Sequence, residues 1–281
     1  MEGRAISTLN SITPEKLFRL IGTPGAPALI DVRGGRVETL LPSAVPRAPS
    51  DIAAWAVNYR GRNVVVVDEQ GGSDSHGIAA WLRAEGANAE VLEGGVVAWR
   101  SAFLPLVFTA RIPVRDAEGR TLWVTRARPK VDRIACPWLI RRFIDPEARF
   151  LFVAPPEVLA VAERLHGEPF DVEGDGVFWS HRGDLCTFDV MLEGFGLGRM
   201  EALAHLANIV RGADTGRPDI IPEAAGLLAV SLGLSRMYAD DLDQLEAGML
   251  LYDAFYRWCR DARDEQHNWN SHRPPKAKVQ A

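Results

Sequence analysis

Nine consecutive residues, His181-Arg182-Gly183-Asp184-Leu185-Cys186-Thr187-Phe188-Asp189, bring an imidazole, a thiol and two carboxylates together. That mixture of nitrogen, sulfur and oxygen donors suits zinc or another borderline divalent transition metal. Asp184, after Gly183 and before Leu185, reads as a helix N-cap. A helix starting there places Cys186 and Asp189 at i and i+3 on one face, with His181 folding over from the preceding loop. The candidate metal ligands are therefore His181, Cys186 and Asp189, with Glu173 or Asp214 completing four. The spacing lacks a paired C-x-x-C signature, so a structural role for these residues stays open beside the metal.

A second knot lies upstream, at Asp132-Arg133-Ile134-Ala135-Cys136-Pro137-Trp138. A residue before proline is pushed out of the α region and proline suits a first helical turn, so Cys136 is expected near an N-cap. The helix dipole and neighbouring Arg133 would there favour a reactive thiolate. The alternative is a buried cysteine filling space beside Trp138. Arg133 can present its planar fork to a tetrahedral oxyanion while Asp132 orients it, with charge added by Arg141 and Arg142. Cys136, Arg133 and Asp132 form the candidate catalytic set, expected to line the same cleft as the ion.

The rest of the chain must position these groups. At 281 residues it is comfortable for two domains, and 47% apolar with 25% charged residues is an ordinary globular composition. The net charge of −5 argues against a whole-chain footprint for nucleic acid. No apolar run reaches the ~18–20 residues of a membrane span, and no secretory leader is visible, which leads to the expectation of a cytoplasmic protein. Three cysteines, Cys136, Cys186 and Cys259, are too few for a disulfide scaffold. Cys259 continues the three- and four-residue spacing of Leu242, Leu245, Met249, Tyr252 and Tyr256, which makes it a core residue of a long final helix.

The first hundred residues alternate between helix and strand. Thr13-Pro14-Glu15 opens a helix, Ala28 to Arg33 is a buried strand, Val64 to Val67 is a β-branched run too short for a helix, and residues 77–85 read as another helix. Continuously apolar strands flanked by helices indicate a mostly parallel sheet covered on both faces. The strings Leu29-Ile30-Asp31-Val32-Arg33 and Leu92-Glu93-Gly94-Gly95-Val96-Val97-Ala98-Trp99 resemble a rhodanese domain over residues 8–107. The resemblance implies a loop after the Val64–Val67 strand that begins with a persulfide-carrying cysteine. Here the loop reads Asp68-Glu69-Gln70-Gly71-Gly72-Ser73-Asp74-Ser75-His76, with Glu69, or at one residue's slip Asp68, at that position. A carboxylate cannot hold a sulfane sulfur, so sulfur transfer on this loop is excluded. Backbone amides of Gly71, Gly72 and Ser73 could still form a nest for an oxyanion, against the negative charge of Asp68, Glu69 and Asp74.

Residues 108–120 mark the boundary to a second, mainly helical α+β domain with a small sheet, over 121–265, followed by a flexible tail at 266–281. Strands are expected at Thr121–Arg126 and Arg149–Val153, with helices from Asp132, over 155–165, and through Met200, Leu203, Leu206 and Val210 to a stop at Gly212. The string from Arg128 to Asp145, the nine residues from His181, and Ile209-Val210-Arg211-Gly212-Ala213-Asp214 resemble the C-terminal domain family of the chromate-resistance protein ChrB. The resemblance implies resistance to chromate, a partner in chromate or another oxyanion, and a functional link to a chromate efflux carrier. Some relatives act as chromate-responsive regulators through a different N-terminal region, which is not visible here, where the rhodanese-like segment takes its place. Three readings follow: a cytosolic oxyanion stress-resistance protein with a metal or oxyanion site and thiol redox chemistry, a sensor or regulator, and an unorthodox sulfurtransferase using Cys136 or Cys186.

Overall fold

The computed structural model describes residues 10–265; the expected tail at 266–281, His267 and His272 lie outside them. In the first half, strands β1 (Ser11–Ile12), β2 (Ala28–Asp31), β3 (Thr39–Leu40), β4 (Ala44–Pro46), β5 (Asn63–Val67), β6 (Asn88–Leu92) and β7 (Val107–Phe108) alternate with helices α1 (Pro14–Leu20), α2 (Ile52–Trp55), α3 (Ser73–Ala84) and α4 (Gly95–Ser101). Five strands form a parallel sheet in the order β1-β6-β5-β2-β4, while β3 and β7 pair antiparallel beside it. This is the rhodanese-like α/β arrangement expected from the strings above.

The period of two in β5 sends its valines to opposite faces. Val64 and Val66 meet Trp55, Tyr59, Ile78 and Leu82 under α2 and α3. Val65 and Val67 join Leu17, Ile21, Val96 and Trp99 under α1 and α4, in a cluster that continues without a break into Trp123, Trp138, Phe143 and Tyr256. The first half therefore has a core of its own on one face of the sheet only. The halves share the other face because Gly22, at φ +78°, lets the chain turn against Phe143 and Tyr256, where any Cβ would approach within 2.4 and 2.8 Å. Backbone also crosses the junction, with Ser43 N–H donating to Phe143 C=O at 2.6 Å.

The second half holds strands β8 (Leu122–Arg126), β9 (Arg149–Val153) and β10 (Glu168–Pro169), with helices α5 (Asp132–Phe143), α6 (Val158–Leu165), α7 (Thr187–Phe195), α8 (Glu201–Asp214), α9 (Glu223–Met237) and α10 (Asp241–Asp261). Its three strands are parallel in the order β10-β8-β9. Val124 faces α6, while Trp123 on the other face enters the shared core. Gly212 does not stop α8; it lies inside the helix, where a Cβ would meet Ala224 of α9 at 2.8 Å, so it serves close helix packing. No helix among the described residues is long and apolar enough to cross a membrane.

Candidate metal centre

Adjacent parallel strands β8 and β10 open their carboxyl ends on the same edge, the position where α/β sheets present ligand sites. Beyond β8 the chain runs through a strained turn. Arg128 has φ +58°, and Val131, a β-branched residue, has φ +33° and ψ −95°. Such conformations persist only when their surroundings over-determine them. Here Arg128 donates to the carbonyls of Ser235, Tyr238 and Ala239, and the Tyr252 hydroxyl donates to Val131 C=O at 3.0 Å. The turn delivers Asp132 as the first residue of α5, fully buried.

Asp132 Oδ2 accepts the Thr187 amide at 2.6 Å and the Phe188 amide at 3.4 Å, so it supplies the N-terminus of α7 from another helix. Its Oδ1 is buried and has no partner. His181, on the connection between β10 and α7, places Nε2 at 3.1 Å from Asp214 Oδ2, 3.5 Å from Asp171 Oδ1 and 3.6 Å from Asp132 Oδ2. One ligand atom each from Asp132, His181 and Asp214 lie within 4.8 Å of one another. The imidazole is 42% exposed and so forms the open side of the group.

The electrostatics follow from three carboxylates around one imidazole. Hydrogen bonding to Asp171, then to Asp214, raises His181 to about 10 against burial, and negative Asp132 adds to the rise. Burial first, then Asp214 and Asp171, push the Asp132 carboxyl well above its ordinary range. Asp171 stays below that range despite burial, because His181, Arg126 and Arg133 face it. Its Oδ2 lies 2.9 Å from Arg126 Nη2 and 3.2 Å from Arg133 Nε, and its Oδ1 accepts the Thr187 hydroxyl at 3.0 Å.

Of the residues expected from sequence, His181 and Asp132 come together with Asp214, one of the two weighed for the fourth ligand place. Cys186, Asp189 and Glu173 do not join them. The helix begins two residues later than the Asp184 reading implied: Cys186 is the N-cap of α7, its amide and thiol both donating to Asp189 Oδ2 at 3.1 and 3.3 Å, within a capping box. Asp189 also faces Arg211 at 3.5 Å, and Glu173 is exposed and not among the grouped ligand atoms. Asp132 and Arg133 do not pair, because successive helical side chains diverge: Asp132 turns to α7 and Arg133 to Asp171.

Cys136 is not at an N-cap. Helix α5 starts at Asp132, closed by Ile134 and Ala135 amides donating to Val131 C=O, and Pro137 falls inside it. Cys136 is wholly buried, and burial, followed by negative Asp132 and Asp171, pushes its thiol well above the ordinary value. Burial also raises Cys186, and takes Cys259 to about 12. Burial thus disfavours the thiolate form of all three. Asp171 and Arg126 were missed; Arg126 closes the expected Thr121–Arg126 strand, whereas Asp171 follows the two-residue strand β10, which no sequence pattern marked.

The N-terminal loop is also closed. Its amide cradle converges on Asp68 rather than Glu69: Asp68 Oδ1 or Oδ2 accepts from the amides of Gln70 at 3.0 Å, Gly71, Gly72 at 3.0 Å and Ser75 at 3.1 Å. The nest weighed for an external oxyanion is thus filled from within.

Residues 123–259 match the family model described as ChrB, C-terminal domain. The chain is 40% identical over 152 residues to Protein ChrB of Cupriavidus metallidurans, a stretch covering 52% of this chain and 43% of that protein. It therefore spans less than half of that relative's length. Solved structures with likeness include a rhodanese-related protein from Thermoplasma volcanium, at 21% identity over 35% of this chain and 98% of that one, TM-score 0.30. A thiosulfate sulfurtransferase from Pseudomonas aeruginosa matches at 18% identity over 57% of this chain and 34% of that one, TM-score 0.33. Likenesses at that level say nothing of activity.

Proposed function

We propose that the chain, whose residues 123–259 match the model of the ChrB C-terminal domain, serves resistance to chromate or a related oxyanion by holding a divalent metal ion between Asp132, His181 and Asp214. The observation that carries the reading is Asp132 Oδ1, a buried carboxylate oxygen without a partner beside two further carboxylates. An unsatisfied buried acceptor costs ~1–3 kcal/mol, more when charged, unless something completes it. A divalent ion would complete it, replace the proton on His181 and offset the mutual repulsion of the aspartates.

One imidazole and two carboxylates suit zinc, manganese or ferrous iron rather than a soft thiophilic ion. Three protein ligands leave coordination positions open toward the exposed side of His181, the arrangement of a working rather than a purely structural centre. Asp171, held by Arg126, Arg133 and Thr187, would fix the imbalance of charge behind the ligands and orient His181.

The test is titration of metal-stripped protein with Zn(II), Mn(II) and Co(II), read by calorimetry and by the Co(II) absorption spectrum. Wild type should take one ion per chain. His181→Ala and Asp214→Asn should weaken it by more than the ~10–100-fold typical of residues that only support ligands, while Cys186→Ser and Glu173→Gln should retain it. An ion bound equally well by His181→Ala, or lost on Glu173→Gln, would show the centre to be elsewhere.

A further inference from the structure

An edge strand carries a row of unused amides and carbonyls, so a sheet edge must be protected or paired. Among the described residues the edge strands β1, β3, β7 and β10 have two residues each, and β4 has three and ends in Pro46. Shortness and proline blunt such edges. The edge strand β9 has neither device: it runs for five residues, Arg149-Phe150-Leu151-Phe152-Val153, without proline and with four consecutive apolar side chains.

The register fixes what this edge offers. Arg149 N–H donates to Thr121 C=O at 2.9 Å, and Val153 C=O accepts the Ala127 amide at 2.7 Å, so Arg149, Leu151 and Val153 turn their backbone toward β8. Alternation then turns the amides and carbonyls of Phe150 and Phe152 outward, where they meet no partner among the described residues. A cavity of about 520 Å³ lies against Phe150, Leu151, Phe152 and Val153. Neighbouring side chains leave opposite faces of a strand, so a cavity that touches four in succession faces the edge itself. Leu165 of α6 and Leu242 of α10 flank it, each 49% exposed.

Charge is divided along the same edge. Arg149 is exposed and pairs with no side chain among the described residues. It shares a recess with Glu246 and Met249 of α10, whereas the cavity at Phe150 to Val153 is lined by Asp240 and Asp241. Helix α10 thus runs back along β9, with its acidic start toward Val153. The edge is basic where it begins and acidic where it ends, which makes it complementary to itself in the reverse direction.

We propose that β9 is a self-association edge, at which a second copy of this chain pairs its own β9 antiparallel about a twofold axis beside Leu151. In that register Phe150 of one copy exchanges both backbone hydrogen bonds with Phe152 of the other, and Leu151 faces its own counterpart in a non-hydrogen-bonded position. Arg149 comes opposite Val153, toward the acidic start of the other copy's α10, and the symmetry makes that contact twice. Two three-stranded sheets become one. The inference is independent of any metal between Asp132, His181 and Asp214.

The experiment uses the full chain in sedimentation equilibrium and in oxidative cross-linking. Wild type should form a dimer as concentration rises. Arg149→Glu changes an exposed side chain and should weaken the dimer about tenfold, because two attractions become two repulsions. Adding Asp240→Asn keeps a good N-cap residue on α10 while removing its charge, and should recover part of that loss. Single cysteines read the register. Leu151→Cys, whose counterpart would lie about 4.5 Å away between Cα atoms, should give a disulfide-linked dimer. Val153→Cys, with its counterpart about 14 Å away along the strand, should not. The three native thiols are buried and leave the reading clear. If Leu151→Cys fails to fold, the Arg149 series still decides.

A wild type that stays monomeric throughout would overturn the proposal. So would a dimer that Arg149→Glu leaves unchanged, or one that Val153→Cys cross-links as readily as Leu151→Cys. A monomeric chain that takes up a synthetic peptide of the β9 sequence would overturn it too, by showing an edge that is open but not used between copies.

Discussion

Replacing Asp132 by asparagine should reverse the order of stability between metal-free and metal-loaded protein. The asparagine carbonyl can keep accepting the Thr187 amide, now at 2.6 Å from Oδ2, so the N-terminus of α7 stays capped. Its NH2 group then takes the place of Oδ1, the oxygen that has no partner, and removes one of the three carboxyl groups around His181. Relief of one unsatisfied buried acceptor is worth about 1–2 kcal/mol. For a chain of this size that raises Tm by about 2–8 °C, at roughly 2–4 °C per kcal/mol. Wild type, however, should gain about 2.7 kcal/mol at a free metal concentration one hundred times its Kd, or about 5–11 °C at the same conversion. The variant should gain little. Scanning calorimetry in chelator and in saturating Zn(II) or Mn(II) makes the comparison in one series: Asp132→Asn should melt above wild type in chelator and below it with metal. A variant that melts lower in chelator yet keeps the full metal-induced rise would refute the reasoning at both ends, since Asp132 would then be a structural acceptor and no ligand.

Two further outcomes follow from the ionisable groups. Burial alone would raise Asp68, but donation from the Ser75 hydroxyl and from the amides of Ser75, Gly71 and Gly72 holds it below the ordinary carboxylate range. Its contribution is therefore fully present above the unfolded value near pH ~4 and lost as pH falls through the lower folded value. Urea unfolding of wild type and Asp68→Asn should show a gap that is constant above about pH 5 and narrows on acidification; a gap that widens below pH ~4 has the wrong sign. Iodoacetamide at neutral pH should leave Cys136 and Cys186 unmodified in the native chain and label all three thiols only in denaturant, measured by intact mass. Rapid native labelling of Cys136 would restore the reactive-thiol reading that its burial removes.

Periodicity and local chemistry along the chain were enough for the parallel α/β half, the small sheet with its helices, and the two segments that carry the chemistry. Val64 to Val67 could only be a buried strand, and Asp132 and His181 stood out because coordinating and reactive side chains are concentrated in the two short segments that hold them. Local signals also misled. Gly183-Asp184-Leu185 has the composition of a helix start, but the helix begins at Cys186, because its first amides are taken by Asp132 from 55 residues away and by Asp189 through the capping box. The Cys136-Pro137 pair resembles a helix entrance, yet the strained turn at Val131 starts α5 a full turn earlier.

What only the tertiary structure decided is which donors meet and what protonation they carry. Asp132 and Asp214 are 82 residues apart, and the packing of α5, α7 and α8 alone brings their oxygens to one imidazole. Asp171 becomes part of the same group through the pairing of β10 with β8, and no spacing rule could place it there. Burial then divides the candidates: desolvation pushes the thiols of Cys136 and Cys186 up, while Asp132 keeps an oxygen with nothing to bond. Residue type and spacing determine helix, strand and cap through contacts within a few positions. Ligand distance and desolvation depend on atoms contributed by remote segments, so they exist only once the chain has folded.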